Sequence, residues 1–470
     1  MTSKEPAPIR YDAHCHVLSR EVFFKRNMIL LIDATRDYEL KKLIKKTPTN
    51  EKEREKEDRI HILKLMELML QNEDGTETFG DLRTEYSKLD PAIQKYIPLM
   101  VDFEYLFRKK YNASDETIYD SDKRKDQFAK MLGKFNNIRD DIKKLLAKEN
   151  SGADKDKIEL LTRFINETEN KSNPEGTNVS DAYLEDEIKS YGRQLETFSK
   201  LKFEFKDDFL PFLAVDPRRP DMMKTIIENV GPGKTFTGIK LYPPMGYSPT
   251  DPFLYGKNDK DDCLYRYCIE KQIPIIAHCS AGGFCTFVQH LEVIGAVMPE
   301  MKFDSVPIVY TQITEIKFKT NVLKSFGDAV KERAYKLNHP KLWEMVLDKF
   351  PTLKINLAHF GGDPDVYGNG RREYIFKLMT KKDKSENLIY PNLFTDLSCI
   401  MEYSLLKDIY DNKFSKIKDR VMYGSDYFLN LIWGDDFNIY YQNFVKVFGG
   451  ELDRIERGNV EGFLEPKGFL

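Results

Sequence analysis

Cysteine is scarce in this sequence. The six thiols, Cys15, Cys263, Cys268, Cys279, Cys285 and Cys399, are spread over 470 residues and lie mostly in apolar segments. That pattern excludes a disulfide-stapled secreted scaffold and fits reduced, buried thiols. Cys263-x4-Cys268 has no second half at zinc-finger spacing and reads as packing. No apolar run reaches the ~20 residues that a membrane span needs. Met1–Ile9 lacks the charged-then-apolar pattern of a secretory leader, so the expected location is cytoplasmic. Positive charge is not in excess either: 73 Lys and Arg stand against 76 Asp and Glu, a net charge of -3. Nucleic acid is therefore not the expected partner, because neutralising phosphates requires a cationic surplus.

What is present is a globular chain, with 41% hydrophobic and 12% aromatic residues, long enough for one large domain with insertions. Residues 28–95 and 108–203 contain long charged segments with helical periodicity. Glu51–Arg59 is an example, followed by Leu63, Leu65, Met66, Leu68, Met69 and Leu70. Such segments form solvated helical layers. Asn170–Asn178 is rich in breakers and reads as a surface loop. Apolar runs with strand character fall at Tyr11–Val17, Pro98–Asp102, Phe209–Val215, Thr237–Leu241, Pro274–His278, Lys354–His359, Leu393–Leu397 and Arg420–Tyr423. Several are separated by amphipathic helical sequence, for example Pro340–Phe350, with proline suited to the first turn. Eight near-continuous apolar strands alternating with helices predict an α/β fold of the (β/α)8 TIM-barrel type, 1–470 as one unit, with large helical insertions after strands 1 and 2.

In such a barrel the chemistry lies at the C-terminal ends of the strands. Those ends here carry His14 and His16, Asp102, Asp216, Lys240, His278, His359, Asp396 and Asp426 in turn. His14 and His16 are two residues apart, so on a strand they share a face while Cys15 points away. A His-x-His pair alone is a weak motif, but two imidazoles on one face can bind one transition metal. Small residues follow several strand ends (Ser280-Ala281-Gly282-Gly283, Gly361-Gly362), and Gly424-Ser425 precedes Asp426; they leave room for a metal and a substrate.

The ordered set His14-x-His16, Gly238-Ile239-Lys240-Leu241, His278, His359-Phe360-Gly361-Gly362 and Tyr423-Gly424-Ser425-Asp426 resembles the amidohydrolase superfamily. It is most similar to the branch of metal-dependent hydrolases that includes aminocarboxymuconate-semialdehyde decarboxylase. Phe212–Arg218 and Gly458-Asn459-Val460 add to the likeness, which covers residues 8–20 and about 205–465 and leaves out the helical blocks. The resemblance implies that His14, His16, His278 and Asp426 hold one divalent metal, zinc by preference, with a coordination position left for water. It further implies that Asp426 and His359 are catalytic, the metal-bound hydroxide attacking an amide, lactone or ester carbonyl. Lys240 would be a nearby cation or, if carboxylated, a bridge to a second metal; the ammonium form must first be disfavoured by burial.

The remaining candidates are plainer. Arg218, Tyr242, Met245, Tyr247, Arg371, Arg372, Tyr427 and Trp433 lie on loops after strands, where Arg218, Tyr242 and Arg371 are placed to face a small-molecule substrate. An arginine there could grip a carboxylate or brace its own loop. Lys240 could simply pair with Asp216. His61 reads as solvated, His290 as packing on an amphipathic helix after strand five, and His339 as a helix-start residue before Pro340. Asp304–Thr320 is a candidate lid. Metal-dependent, non-oxidative decarboxylation of an aromatic or unsaturated acid is the alternative reaction, and a non-catalytic metal-binding barrel a third reading. Barrels of this size often pair, which leaves a homodimer open.

Overall fold

The computed structural model describes residues 9–17, 75–89, 93–107, 190–258, 262–302, 304–322, 326–362, 370–427 and 437–465. Most of the two charged blocks, with Glu51–Arg59, His61 and Asn170–Asn178, lies outside these residues, as does Trp433. Each block is helical where it is described, in α1 (Gly75–Ser87) and α2 (Ser190–Phe205).

The fold is α/β around parallel strands. β1 (Tyr11–Cys15) pairs in parallel with β2 (Lys95–Pro98). A six-stranded parallel sheet follows, formed by β3 (Phe212–Val215), β4 (Gly238–Leu241), β5 (Ile275–Ala277), β8 (Ile355–Leu357), β9 (Leu393–Asp396) and β10 (Val421–Met422), in that spatial order. Between β5 and β8 the chain makes an antiparallel hairpin, β6 (His290–Val297) with β7 (Ile308–Lys317). Backbone hydrogen bonds join the β1–β2 pair to the larger sheet on both sides. On one side Leu210 N donates to Tyr96 O (2.9 Å) and Met100 N to Phe212 O (3.1 Å). On the other, Ala13 N donates to Tyr423 O (3.1 Å), His16 N to Tyr427 O (2.7 Å) and Asp426 N to His14 O (2.7 Å).

Burial explains the strands' uniform apolarity. β3, β4, β5, β8, β9 and β10 are buried at every position, as strands covered on both faces must be. One small apolar cluster takes Tyr11 and Ala13 from β1, Ile97 from β2, Phe212 from β3, Ile276 from β5, Phe394 from β9 and Met422 from β10. Val460 and Phe463 complete it. A much larger cluster includes Leu213, Ile239, Ile275, Ile355 and Leu393 from the same strands and reaches the helices. In α6 (Pro340–Lys349; α3 is Met222–Asn229, α4 Leu264–Glu270 and α5 Phe326–Asn338), Leu342, Trp343, Val346 and Leu347 form the buried stripe. His339 caps this helix by accepting from Lys341 N, and Pro340 occupies the first turn, where its missing N–H costs nothing.

Three expectations need correction. His290 is on a strand, not a helix: Leu291, Val293 and Val297 alternate into their own small cluster, and β-branched residues favour the pleated surface. Asp304–Thr320 is largely the second arm of that hairpin. The second strand sits earlier than Pro98–Asp102: its ladder with β1 ends at Pro98, where Leu99 N donates to Cys15 O (2.8 Å), because the next β1-side amide, His16 N, turns to Tyr427 O (2.7 Å). Beyond it, only Leu99 bridges to Phe212.

Candidate metal centre

β1 and the residue just after it carry two imidazoles, His14 and His16, whose outer nitrogens are fixed by the fold. His16 Nδ1 lies 2.9 Å from the Leu99 carbonyl, just after β2. A carbonyl only accepts, so the ring hydrogen sits on Nδ1 and the neutral ring leaves a lone pair on Nε2. His14 Nδ1 lies 3.0 Å from Asp396 Oδ2 at the end of β9, which fixes the same tautomer. This is the carboxylate–histidine arrangement that orients metal ligands. The two rings are 5.5 Å apart between centroids, and Cys15, between them in sequence, packs into the large apolar cluster.

Both free nitrogens face Asp426. Its Oδ1 is 3.1 Å from His16 Nε2 and 3.5 Å from His14 Nε2. His14 Nε2 and Asp426 Oδ1 are buried and have no hydrogen-bond partner. Two buried polar atoms without a partner therefore converge beside His16 Nε2, an arrangement that costs several kcal/mol unless a cation neutralises it. Donor atoms of His14, His359 and Asp426 also lie within 4.8 Å of one another.

The backbone is strained where these residues sit. Asp426 has φ 57° and His359 φ 67°, both left-handed and unusual for residues with a side chain. Gly424 lets the chain after β10 pass against β1, since a Cβ there would meet His14 Cβ at 2.7 Å. Asp396 is the hub beneath. Its Oδ2 also accepts from Asn356 Nδ2 (2.6 Å), and its Oδ1 accepts from His359 N (3.0 Å), Ser398 N (3.1 Å) and the Ser398 hydroxyl. One carboxylate thus ties together the strand ends that carry His14 and His359. Burial pushes its pKa up, but His14, His359 and the Ser398 hydroxyl outweigh it and hold it well below the usual range.

Burial favours the neutral form of His14, His278 and His359, as ligation requires. It brings His14 down to about 3, with Lys240 and His359 adding and Asp396 opposing; His278 and His359 are lowered too. Asp426 stays ionised: burial works against the charge, but the His16 contact and the nearby His14 and His359 outweigh it. The donor set, neutral imidazoles with an ionised carboxylate, fits a divalent metal.

The expected residues gather unevenly. His278 stands one step back, with Nδ1 3.1 Å from His359 Nε2 and Nε2 turned to the Gly282 carbonyl at 2.8 Å. His359, not His278, has the donor atom nearest His14 and Asp426. Tyr242 stacks on His278 (centroids 4.1 Å, planes 9° apart), and its hydroxyl accepts from Phe284 N at 2.8 Å. Lys240 does not pair with Asp216. Its Nζ is buried without a hydrogen-bond partner, and burial lowers its pKa to about 8 against the pull of Asp426 and Asp396. Asp216 is taken by Arg218, which donates to both carboxylate oxygens (2.9 and 2.6 Å) and to Met245 O (3.0 Å). Arg371, in α7 (Gly370–Thr380), donates to Asn338 O at 3.0 Å. Arg218 thus braces its own surroundings, as a buried guanidinium paired to a carboxylate does, while Arg371 is tied to the Asn338 carbonyl.

Sequence reading passed over Asp12, Asn356 and Ser398. Asp12 could have been found, since it lies two residues before His14 on the same strand; Asn356 and Ser398 declare themselves only through contacts with Asp396.

A sequence model described as amidohydrolase matches residues 181–454, more than half of the chain. No curated protein sequence matches it. Among solved structures, the chain is similar to 5-carboxyvanillate decarboxylase from Novosphingobium aromaticivorans complexed with manganese, at 13% identity and TM-score 0.44, over 97% of this chain and 96% of that one. It is similar to 2,6-dihydroxybenzoate decarboxylase from Rhizobium at 13% identity and TM-score 0.32, over 60% and 79%. It is also similar to a probable 2-pyrone-4,6-dicarboxylic acid hydrolase from Acinetobacter baumannii at 10% identity and TM-score 0.32, over 57% and 78%. The family match, spanning β3 to β10 and with them Lys240, His278, His359 and Asp426, places the chain in the amidohydrolase family.

Proposed function

We propose that this chain is a metal-dependent enzyme acting on a small molecule, with its eight parallel strands closed into a (β/α)8 barrel. In this reading residues 28–95 and 108–203 are helical insertions after the first two strands. The hydrogen bonds that join β1–β2 to β3 on one side and to Tyr423–Tyr427 on the other support closure. His14 Nε2, His16 Nε2 and Asp426 Oδ1 would hold one divalent cation, with His359 or a turned His278 as the next donor. Zinc suits three imidazoles and a carboxylate, and manganese is the main competitor because a carboxylate and water favour it.

When bound, the cation supplies Lewis acidity toward a substrate oxygen or a water molecule. The chain's own groups do the rest. Asp426, ionised, can accept a proton on its other carboxylate oxygen while Oδ1 faces the cation. His359 and His278, linked at 3.1 Å, can hold or pass one. Tyr242 offers a flat wall fixed against His278.

The reaction this arrangement supports best is non-oxidative decarboxylation of an aromatic or unsaturated acid. The observation that carries it is Lys240, a buried amine with no hydrogen-bond partner, 5.6 Å above the Tyr242 ring and able to receive a substrate carboxylate. The second reading is hydrolysis of an amide, lactone or ester, favoured by that other oxygen of the ionised Asp426 as acceptor of a water proton. A carboxylated Lys240 with a second metal belongs to that second reading.

The test is a metal-loaded panel of aromatic acids, lactones and amides, with His14→Ala beside the parent chain. Carbon dioxide release from an acid, absent in His14→Ala, is the expected result. Turnover of lactones or amides alone transfers the assignment to hydrolysis. A fully loaded protein that turns over nothing overturns both.

A further inference from the structure

α1 lies outside the parallel strands, yet one of its side chains reaches the metal-binding pair. Tyr86, buried completely, donates from its hydroxyl to Asp12 Oδ2 at 2.6 Å. Its ring packs edge-on against Phe437 at the start of α9 (Phe437–Phe448; α8 is Tyr403–Ile409), 4.9 Å between centroids. Asp12 is the acceptor for four groups. Its Oδ1 takes His14 N (3.1 Å) and Ser425 N (3.0 Å), and its Oδ2 takes the Ser425 hydroxyl (2.6 Å) and Tyr86.

The residues that Asp12 holds are those that set the metal donors' spacing. Ser425 precedes Asp426, whose backbone is left-handed and would relax if the turn were released. Ser425 Oγ in turn accepts from Tyr427 N at 2.9 Å, fixing the far side of that turn. Asp426 N donates to His14 O, so β1 and the Ser425–Tyr427 turn are locked together at two points. No arginine or lysine touches Asp12 among the described residues. Its buried carboxylate depends wholly on neutral donors, of which Tyr86 is the only one from outside β1 and this turn.

We propose that Tyr86 is a positioning residue for the His14–Asp426 pair, acting through Asp12 to fix the spacing of their donor atoms. The first charged block of the chain would then contribute to the site itself and not only cover the strands. This inference rests on the metal-centre reading above. It makes α1 a specific requirement, because a phenylalanine at position 86 keeps the packing against Phe437 and removes only the hydroxyl, with its bond to Asp12 and its 3.1 Å contact with the Tyr423 hydroxyl.

The experiment measures Zn2+ affinity of the full chain by chelator competition, and the visible absorption of the Co2+-loaded chain, for the parent, Tyr86→Phe and Tyr265→Phe. Tyr265 is an equally buried tyrosine of α4 whose hydroxyl donates to Pro249 O at 2.9 Å and touches none of these residues. Tyr86→Phe is expected to bind Zn2+ about 10-fold more weakly, the lower end for groups that orient ligands, and to shift the Co2+ bands; Tyr265→Phe does neither. Equal binding by parent and Tyr86→Phe, or equal weakening in both variants, overturns the positioning role and leaves the metal centre standing. A parent chain that binds no divalent metal overturns the metal centre, and the inference with it. Should Tyr86→Phe fail to fold, Asp12→Asn takes its place: its amide has one accepting oxygen where the carboxylate has two, so it cannot satisfy the two hydroxyls and the two backbone N–H groups together, and unchanged affinity there also overturns the proposal.

Discussion

Two buried charged corners stand at the strand ends, and they solve the same electrostatic problem in opposite ways. After β2 and β3, Asp216 is gripped by Arg218 through both oxygens. Asp102 is gripped by Arg219, which also reaches Glu104 at 2.7 Å and lies 3.9 Å from the Tyr191 ring centroid. Two guanidinium groups serve the three carboxylates there, Arg219 being shared by Asp102 and Glu104. After β1 and β10, His14 Nε2 and Asp426 Oδ1 are left without a hydrogen-bond partner beside His16, and so is Lys240 Nζ. Both corners are largely buried. What separates them is that the first pairs its carboxylates with guanidinium groups and the second gathers unpartnered donor and acceptor atoms in one place.

The comparison breaks most sharply under paired substitutions. Asp426→Ala is expected to reduce divalent-metal affinity by well over ~100-fold, more than the loss typical of groups that only orient ligands, and equilibrium dialysis reads it. Arg218→Ala should cost roughly 3–5 kcal/mol of folding stability by stranding Asp216, read by denaturant unfolding, while leaving metal content near that of the parent. If Arg218→Ala empties the site or Asp426→Ala chiefly unfolds the chain, the division between the corners is wrong.

A smaller effect follows from the carboxylate that joins His14 to His359. Asp396→Asn keeps the shape but weakens the acceptor for His14 Nδ1, and about 10-fold loss of metal affinity is expected. Unchanged affinity would make Asp396 a packing residue.

Acid should show the smallest difference per step. His14 and His339, both brought down by burial from 6.5 to about 3, bind protons in the unfolded chain before they do so in the folded one. The stability that these two rings contribute to the metal-free protein is therefore full above about 6.5 and falls as pH drops toward 3. The slope is about 1.4 kcal/mol per unit for each such histidine at most. Asp12, Asp102 and Glu456, raised by burial to about 6, 7 and 7, slope the other way, so unfolding midpoints of the parent and His339→Gln are compared across the window; equal slopes would mean that the His339 ring is reached by solvent. Metal release in the same window is expected at the open corner alone, since protons compete for its nitrogens.

Much of this molecule could be read in advance. The strands near positions 11, 212, 238, 275, 355, 393 and 421 follow from near-continuous apolar runs, which only strands buried on both faces require. The chemistry-bearing residues at their ends, His14, His16, Lys240, His278, His359, Asp396 and Asp426, are visible because they interrupt those runs. The hairpin around His290 was hidden, because a short apolar segment rich in β-branched residues has no periodicity that excludes a helix until its partner strand is known.

The sequence by itself determined which residue types stand at the strand ends and that the His14–His16 pair shares a face, since both follow from strand period alone. Only the tertiary structure decided which carboxylate is neutralised and which is left open. Asp216 and Asp426 occupy comparable places at strand ends, but an arginine two residues on can fold back on the first, and only imidazoles meet the second. It likewise placed His359 nearer the donors than His278 and brought Tyr86 from a separate segment onto Asp12. These are contacts between residues 74 to 412 positions apart, and no local rule of sequence fixes which of them are made.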